Sequence, residues 1–124
     1  MPVVLKIDLH RRIVYSAFYG KLTGAELAGH RSAIASDPDF NSAFNEIVDF
    51  SAVTEASLSE KTLAAMAANP SLFKESALHI IVAPDEKLFQ IANRFKDFAQ
   101  STRANLFVVR SRDEAYKLLP ARTA

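Results

Sequence analysis

Hydroxyl and carboxylate side chains crowd two short stretches of this chain. The first is Asp49, Ser51, Thr54, Ser57 and Ser59, at and just beyond the apolar segment EIVDF at 46–50. The second is Pro84-Asp85-Glu86-Lys87, which follows ALHIIVA at 77–83. Both read as loops leading from a buried strand into a helix. In open α/β sheets ligands settle beyond the carboxyl ends of parallel strands, and a helix N-terminus there offers free backbone amides to an anion. The plainer use of the same residues is capping. Ser57 or Ser59, and Asp85, cap the helices that follow, each cap contributing about 1 kcal/mol. Convergence of Asp49, Asp85 and Glu86 would make an acidic site, although neither stretch holds a histidine to complete a metal-binding set. A phosphate on one of the serines would place close to two negative charges beside a helix N-terminus, which its dipole tolerates.

The histidines stand at 10, 30 and 79, without HxH or HxxxH spacing, so they form no metal motif. His10 falls in a hairpin turn and His30 on a helix, and both are expected in solvent. His79 lies inside the apolar run ALHII and is expected to be hydrogen-bonded in or near the core. The absence of cysteine excludes a thiol nucleophile, an iron–sulfur site and a disulfide framework. Neither G-x-G-x-x-G, a P-loop, G-x-S-x-G nor H-E-x-x-H occurs. No Ser–His–Asp triad is assignable from the sequence, and no cofactor is implied. An enzyme would require polar groups converging in one pocket, with Asp49, Ser51, Ser57, His79 and Asp85 the residues to watch.

Charge and aromatic residues suggest surfaces. Residues 1–62 carry six basic and eight acidic side chains, and residues 63–124 carry nine and six. The basic excess in Arg94, Lys96, Arg103, Arg110, Arg112, Lys117 and Arg122 reads as a solvated or partner-facing surface. Nucleic acid would need exposed stacking aromatics beside it, whereas Phe95, Phe98 and Phe107 have core spacing. Phe40, Phe44 and Phe73 lie in or beside connections, where they pack as core or line an apolar pocket or an oligomer contact.

The positioning elements follow from periodicity. Residues 3–9 alternate, with Val3, Leu5, Ile7 and Leu9 on one face, and residues 13–19 alternate again; the short link between them predicts an antiparallel hairpin ended by Gly20. Thr23-Gly24-Ala25-Glu26 is a capping box opening a helix to about Ser36, where Pro38 intervenes. Residues 46–50 read as a short buried strand. Capping residues at 57–60 open a helix to about Ala68, and 71–76 allow one more turn. The apolar run 77–83 suits a strand buried on both faces. A helix from Asp85 to about Ser101 presents Leu88, Ile91, Ala92 and Phe95 on one face. Residues 105–110 form a fifth strand, and Ser111 with Glu114 caps a last helix through Leu119. The chain of 124 residues fits one domain, 1–124. The expectation is α/β: a five-stranded, mostly parallel mixed sheet with an N-terminal antiparallel hairpin and about four helices. Neither a secretory leader nor an apolar run long enough to span a membrane is present in the sequence, so a cytoplasmic location is expected.

This order of elements resembles the SpoIIAA-like family, small proteins related in fold to STAS and CRAL-TRIO domains. The resemblance rests on IVDFSAVTEASLS at 47–59, VAPDEKLFQIANRFKDFA at 82–99 and FVVRSRDEAYKLL at 107–119. Where STAS proteins carry a phosphorylated serine, aligning Asp49, Ser51 and Val53 places Leu58, so the phospho-switch does not transfer. The resemblance implies a non-enzymatic regulatory or protein-interaction module acting through residues 51–60 and the helix at 85–101, with a protein partner; separately, a small α/β domain with an amphipathic outer helix or an exposed sheet edge is expected to form a homodimer. The alternative it implies is a carrier or sensor of a small apolar or anionic ligand. That reading calls for a space beneath the second and third helices, lined by Leu63, Met66, Phe73 and Phe95. A closed cavity there would compete with the core of so short a chain, so a cleft is expected.

Overall fold

A computed structural model describes residues 3–119, and Arg122 lies outside them. Strand β1 (Val3–Asp8) pairs antiparallel with β2 (Ile13–Thr23), Val3 opposite Phe18 and Asp8 opposite Ile13. Asp8 Oδ1 accepts from the Arg11 amide at 2.9 Å and closes the turn, in which Arg12 takes the left-handed region at φ 58°. Helix α1 (Gly24–Ser36) follows, its entry fixed by Glu26 Oε1 accepting from the Thr23 amide at 2.9 Å. Then come β3 (Asn45–Ser57), α2 (Glu60–Ala68), β4 (His79–Val82), α3 (Glu86–Phe98), β5 (Leu106–Val109) and α4 (Arg112–Leu118).

The five strands lie in the order β1-β2-β3-β4-β5, with β2 to β5 mutually parallel. Each parallel step from β2 to β5 uses one helix. Right-handed crossovers therefore put α1, α2 and α3 on the same face. On that face Val14, Phe18 and Phe50 pack with Ile34, Leu88 and Ala92. The other face carries Ile13, Ile47, Ile80, Val82 and Val109, and Ala115 of α4 packs against it with Tyr116 and Leu119. The α/β architecture and the element order agree with expectation.

Two boundaries differ. Gly20 does not end β2: it sits at φ 73° within a strand that continues to Thr23, at register shifts against β3. A glycine in the left-handed region absorbs a bulge instead of breaking the strand. The short strand expected at 46–50 runs on to Ser57 because the extended β2 gives it a partner, Leu22 opposite Ala56 and Thr23 opposite Ser57. Residues 71–76 form no helical turn; Phe73 N donates to Ser71 Oγ at 3.1 Å and Ala77 N to the Lys74 carbonyl at 2.9 Å.

Candidate functional site

The sequence points to the carboxyl ends of the strands, and the residues there are occupied with one another. Asp49 is buried inside β3. Tyr15 Oη donates to its Oδ2 at 2.5 Å, and the Ser51 amide and hydroxyl both donate to its Oδ1, at 2.9 and 2.5 Å. Arg112 Nε stands 3.8 Å from the same carboxylate and draws α4 onto the sheet. Asp85 caps α3 by accepting from the Leu88 amide at 3.2 Å, and Glu86 pairs with Arg110 at 2.8 Å. Ser59, and not Ser57, caps α2 by accepting from the Thr62 amide at 3.1 Å. Thr54 and Ser57 are exposed on the extension of β3. Of the seven predicted residues, only Asp49 and Ser51 are joined directly. Among the described residues no three His, Asp or Glu side chains gather as a metal site.

The Asp49 cluster leaves a measurable mark on Tyr15. Burial first, then the Asp49 hydrogen bond and charge, push its phenol up to about 12, against the opposing influence of Arg112. A raised phenol holds its proton more tightly in the folded state. Its stabilising effect is therefore whole below pH 10.0, the ordinary value, and is lost as pH rises through about 12. Subtracting the ultraviolet alkaline titration of Tyr15→Phe from that of the parent is expected to isolate one phenol ionising near 12. An isolated ionisation near 10 would contradict the Asp49 contact.

A cavity of about 370 Å³ lies instead under the three-helix face, toward the amino ends of β3 and β4. Leu27 and Ile34 of α1, Leu63 and Met66 of α2, and Ile91 and Phe95 of α3 give it apolar walls. Val48, Phe50 and Ile81 form part of the sheet side. Phe73 closes it from the connection between α2 and β4. The exposed Ala28, Ser32 and Asn69 also line it, so it reaches solvent between α1 and the chain that leaves α2.

Besides Ser32 and Asn69 at its mouth, six polar residues line this apolar space: His30, Arg31, Glu46, Ser71, His79 and Arg103. His30, expected in solvent, is buried, because the face of α1 that carries it turns onto the sheet. It shares a hydrogen bond of 2.6 Å with the buried Ser16 and stands edge-on to Phe18 at 4.9 Å. Burial lowers its pKa from 6.5, and the Glu46 charge opposes that shift. His79 meets Glu46 Oε1 through Nδ1 at 2.8 Å and Ser71 Oγ through Nε2 at 3.5 Å. Arg31 Nη1 donates to the Pro70 carbonyl at 2.8 Å, and Arg103 Nη1 to the Asn69 carbonyl at 3.3 Å. Arg103, expected on a solvated basic surface, is half-buried; desolvation lowers its pKa, Glu46 raises it and Arg31 lowers it further. Two guanidinium groups and one carboxylate thus act on one another at the cavity.

His30 makes stability depend on pH. A histidine with a lowered folded pKa is stabilising while neutral. Its contribution is whole above 6.5 and is lost as pH falls from there toward the folded value. The free energy of unfolding from urea titration is expected to fall between pH 7 and pH 5, with a slope from His30 of at most about 1.4 kcal/mol per pH unit. His30→Gln, which keeps a partner for Ser16 but does not titrate, is expected to flatten that slope. An unchanged slope would show that His30 does not carry it.

The sequence singled out Leu63, Met66, Phe73 and Phe95, and all four line the cavity. It missed Glu46, Ser71 and Arg31 and placed Arg103 on the surface; the four are scattered along the chain and share no local motif. Compared with known proteins, the chain matches no family model and no curated protein. Among the described residues no helix is long and apolar enough to cross a membrane.

Proposed function

We propose that the protein binds a small, mostly apolar molecule with an anionic end, as its carrier or sensor. The supporting observation is the 370 Å³ cavity, apolar along its walls and bordered by Arg31 and Arg103. A domain of this size has about 5–15 kcal/mol of stability, and core volume left open subtracts from it. A space of this volume, lined by three helices and the sheet, falls within the size range of small-molecule sites. The guanidinium groups suit a carboxylate or phosphate head, and the apolar walls suit its tail. The SpoIIAA-like assignment belongs to the same proposal, supported by the element order and by the segments at 47–59, 82–99 and 107–119. The reading as a protein-contact module draws on the exposed Thr54, Ser57 and Ser59, a less specific feature than an apolar cleft bordered by two guanidinium groups.

Calorimetric titration with decanoate and with decanol tests the proposal. Decanoate is expected to bind more tightly, and Arg31→Gln combined with Arg103→Gln to erase its advantage. At a hundredfold excess over Kd the bound form gains about 2.7 kcal/mol, enough to raise Tm by several degrees. No heat and no Tm shift with either probe would overturn it.

A further inference from the structure

The polar groups in the cavity form a sequence of contacts that the carrier reading does not require. Ser71, His79 and Glu46 stand in line: hydroxyl to Nε2 at 3.5 Å, Nδ1 to carboxylate oxygen at 2.8 Å. We propose that these three residues hydrolyse an ester of an apolar carboxylic acid held in the cavity, Ser71 as nucleophile, His79 as general base and Glu46 as the carboxylate that orients it.

The placement favours chemistry over a loose surface contact. Glu46 and His79 are paired neighbours on adjacent parallel strands, so the base and its carboxylate are mounted on the sheet. His79 is 4% exposed, and its ring is held edge-on by Phe73 at 5.0 Å. A carboxylate at Nδ1 selects the tautomer with its proton there and leaves Nε2 free to accept. Phe73 N donates to Ser71 Oγ at 3.1 Å, which fixes the oxygen and leaves the hydroxyl proton for another acceptor. Nε2 stands 3.5 Å from that oxygen, and catalytic contacts are often this long until substrate is bound. Arg31 and Arg103 grip the carbonyls of Pro70 and Asn69, immediately before Ser71 in the chain. Both guanidinium groups line the cavity, and their charge suits the carboxylate product.

The step balances without a co-reactant other than water. Ser71 Oγ bonds to the ester carbonyl carbon as its proton passes to His79 Nε2. The carbon–alkoxy bond then breaks, and the alcohol leaves with that proton. Water adds to the acyl-serine, giving its proton to Nε2. The serine–acyl bond breaks, the proton returns to Ser71, and a carboxylic acid is released. The product is the class of molecule proposed above as the ligand, so this inference rests on the cavity being a ligand site.

The test uses the whole chain with p-nitrophenyl octanoate and an alkyl fluorophosphonate. Ser71 is half-buried and small, so Ser71→Ala is expected to fold. Turnover is expected to fall by about 10²–10⁴-fold in Ser71→Ala and by at least about tenfold in Glu46→Gln. Peptide mass spectrometry is expected to find the phosphonyl adduct on Ser71, formed more slowly in Glu46→Gln. Equal turnover by Ser71→Ala and the parent, or an adduct only at other residues, would overturn the assignment. Decanoate titrated into Ser71→Ala separates the two readings. Binding retained with no Ser71 adduct refutes the hydrolase alone, and binding absent from both proteins refutes the cavity as a ligand site.

Discussion

Phe18→Ala is expected to lower the free energy of unfolding by about 3–5 kcal/mol, the cost of removing a large aromatic from a packed core. Phe18 is 1% exposed and sits where β2 meets α1. Its ring is edge-on to His30 at 4.9 Å and to Phe50 at 5.6 Å, contacts that add to simple burial. Both partners line the cavity, so the truncation also loosens one of its walls. Against a total of about 5–15 kcal/mol, the variant is expected to melt well below the parent and to bind decanoate less tightly. Urea titration followed by circular dichroism reads the loss directly. Val4→Ala, at a position 45% exposed, is the control and is expected to change stability by less than about 0.5 kcal/mol. Equal losses at the two positions would show that the three-helix face is not the principal core.

Ala92→Phe is expected to weaken decanoate binding by more than about 100-fold, equivalent to about 2.8 kcal/mol. Ala92 is 2% exposed on α3 and lines the cavity, so a benzyl group added there enters the space the ligand requires. The same substitution fills open core volume and is expected to leave Tm unchanged or raised. Affinity then falls while stability holds or rises, which a general disruption of the fold cannot produce. Calorimetry and a thermal melt on one preparation measure both. Affinity unchanged in a folded Ala92→Phe protein would place the ligand elsewhere.

Much of the fold was legible because its signals are local. Alternation at 3–9 and 13–19 marks the hairpin, and Thr23 with Glu26, Asp85, and Ser111 with Glu114 mark helix starts through contacts three residues long. The lengths of β2 and β3 were not legible, because each depends on the other: the strand beyond Gly20 exists because residues 52–57 pair with it, and neither half has a strand pattern alone. The burial of His30 was missed for a related reason. The sequence of α1 has small residues on several sides, GAELAGHRSAIAS, and does not declare which side faces the sheet.

The candidate site divides in the same way. The resemblance to lipid-transfer domains directed attention to Leu63, Met66, Phe73 and Phe95 beneath the second and third helices, and all four line the cavity. The polar groups beside them are joined only by the parallel register. Glu46 meets His79 because β3 and β4 align them, 33 positions apart in the chain. The general preference for carboxyl ends of strands drew attention to Asp49 and Asp85. The residues there satisfy one another and α4: Tyr15, Ser51 and Arg112 surround the one carboxylate, and a helix amide takes the other.

Native mass spectrometry after incubation with decanoate, repeated under denaturing conditions, tests the central claim most directly. A complex of one decanoate per chain is predicted, lost on denaturation and absent from Ala92→Phe. A bare chain mass at every decanoate concentration, or equal uptake by the parent and Ala92→Phe, would contradict the cavity as the functional site.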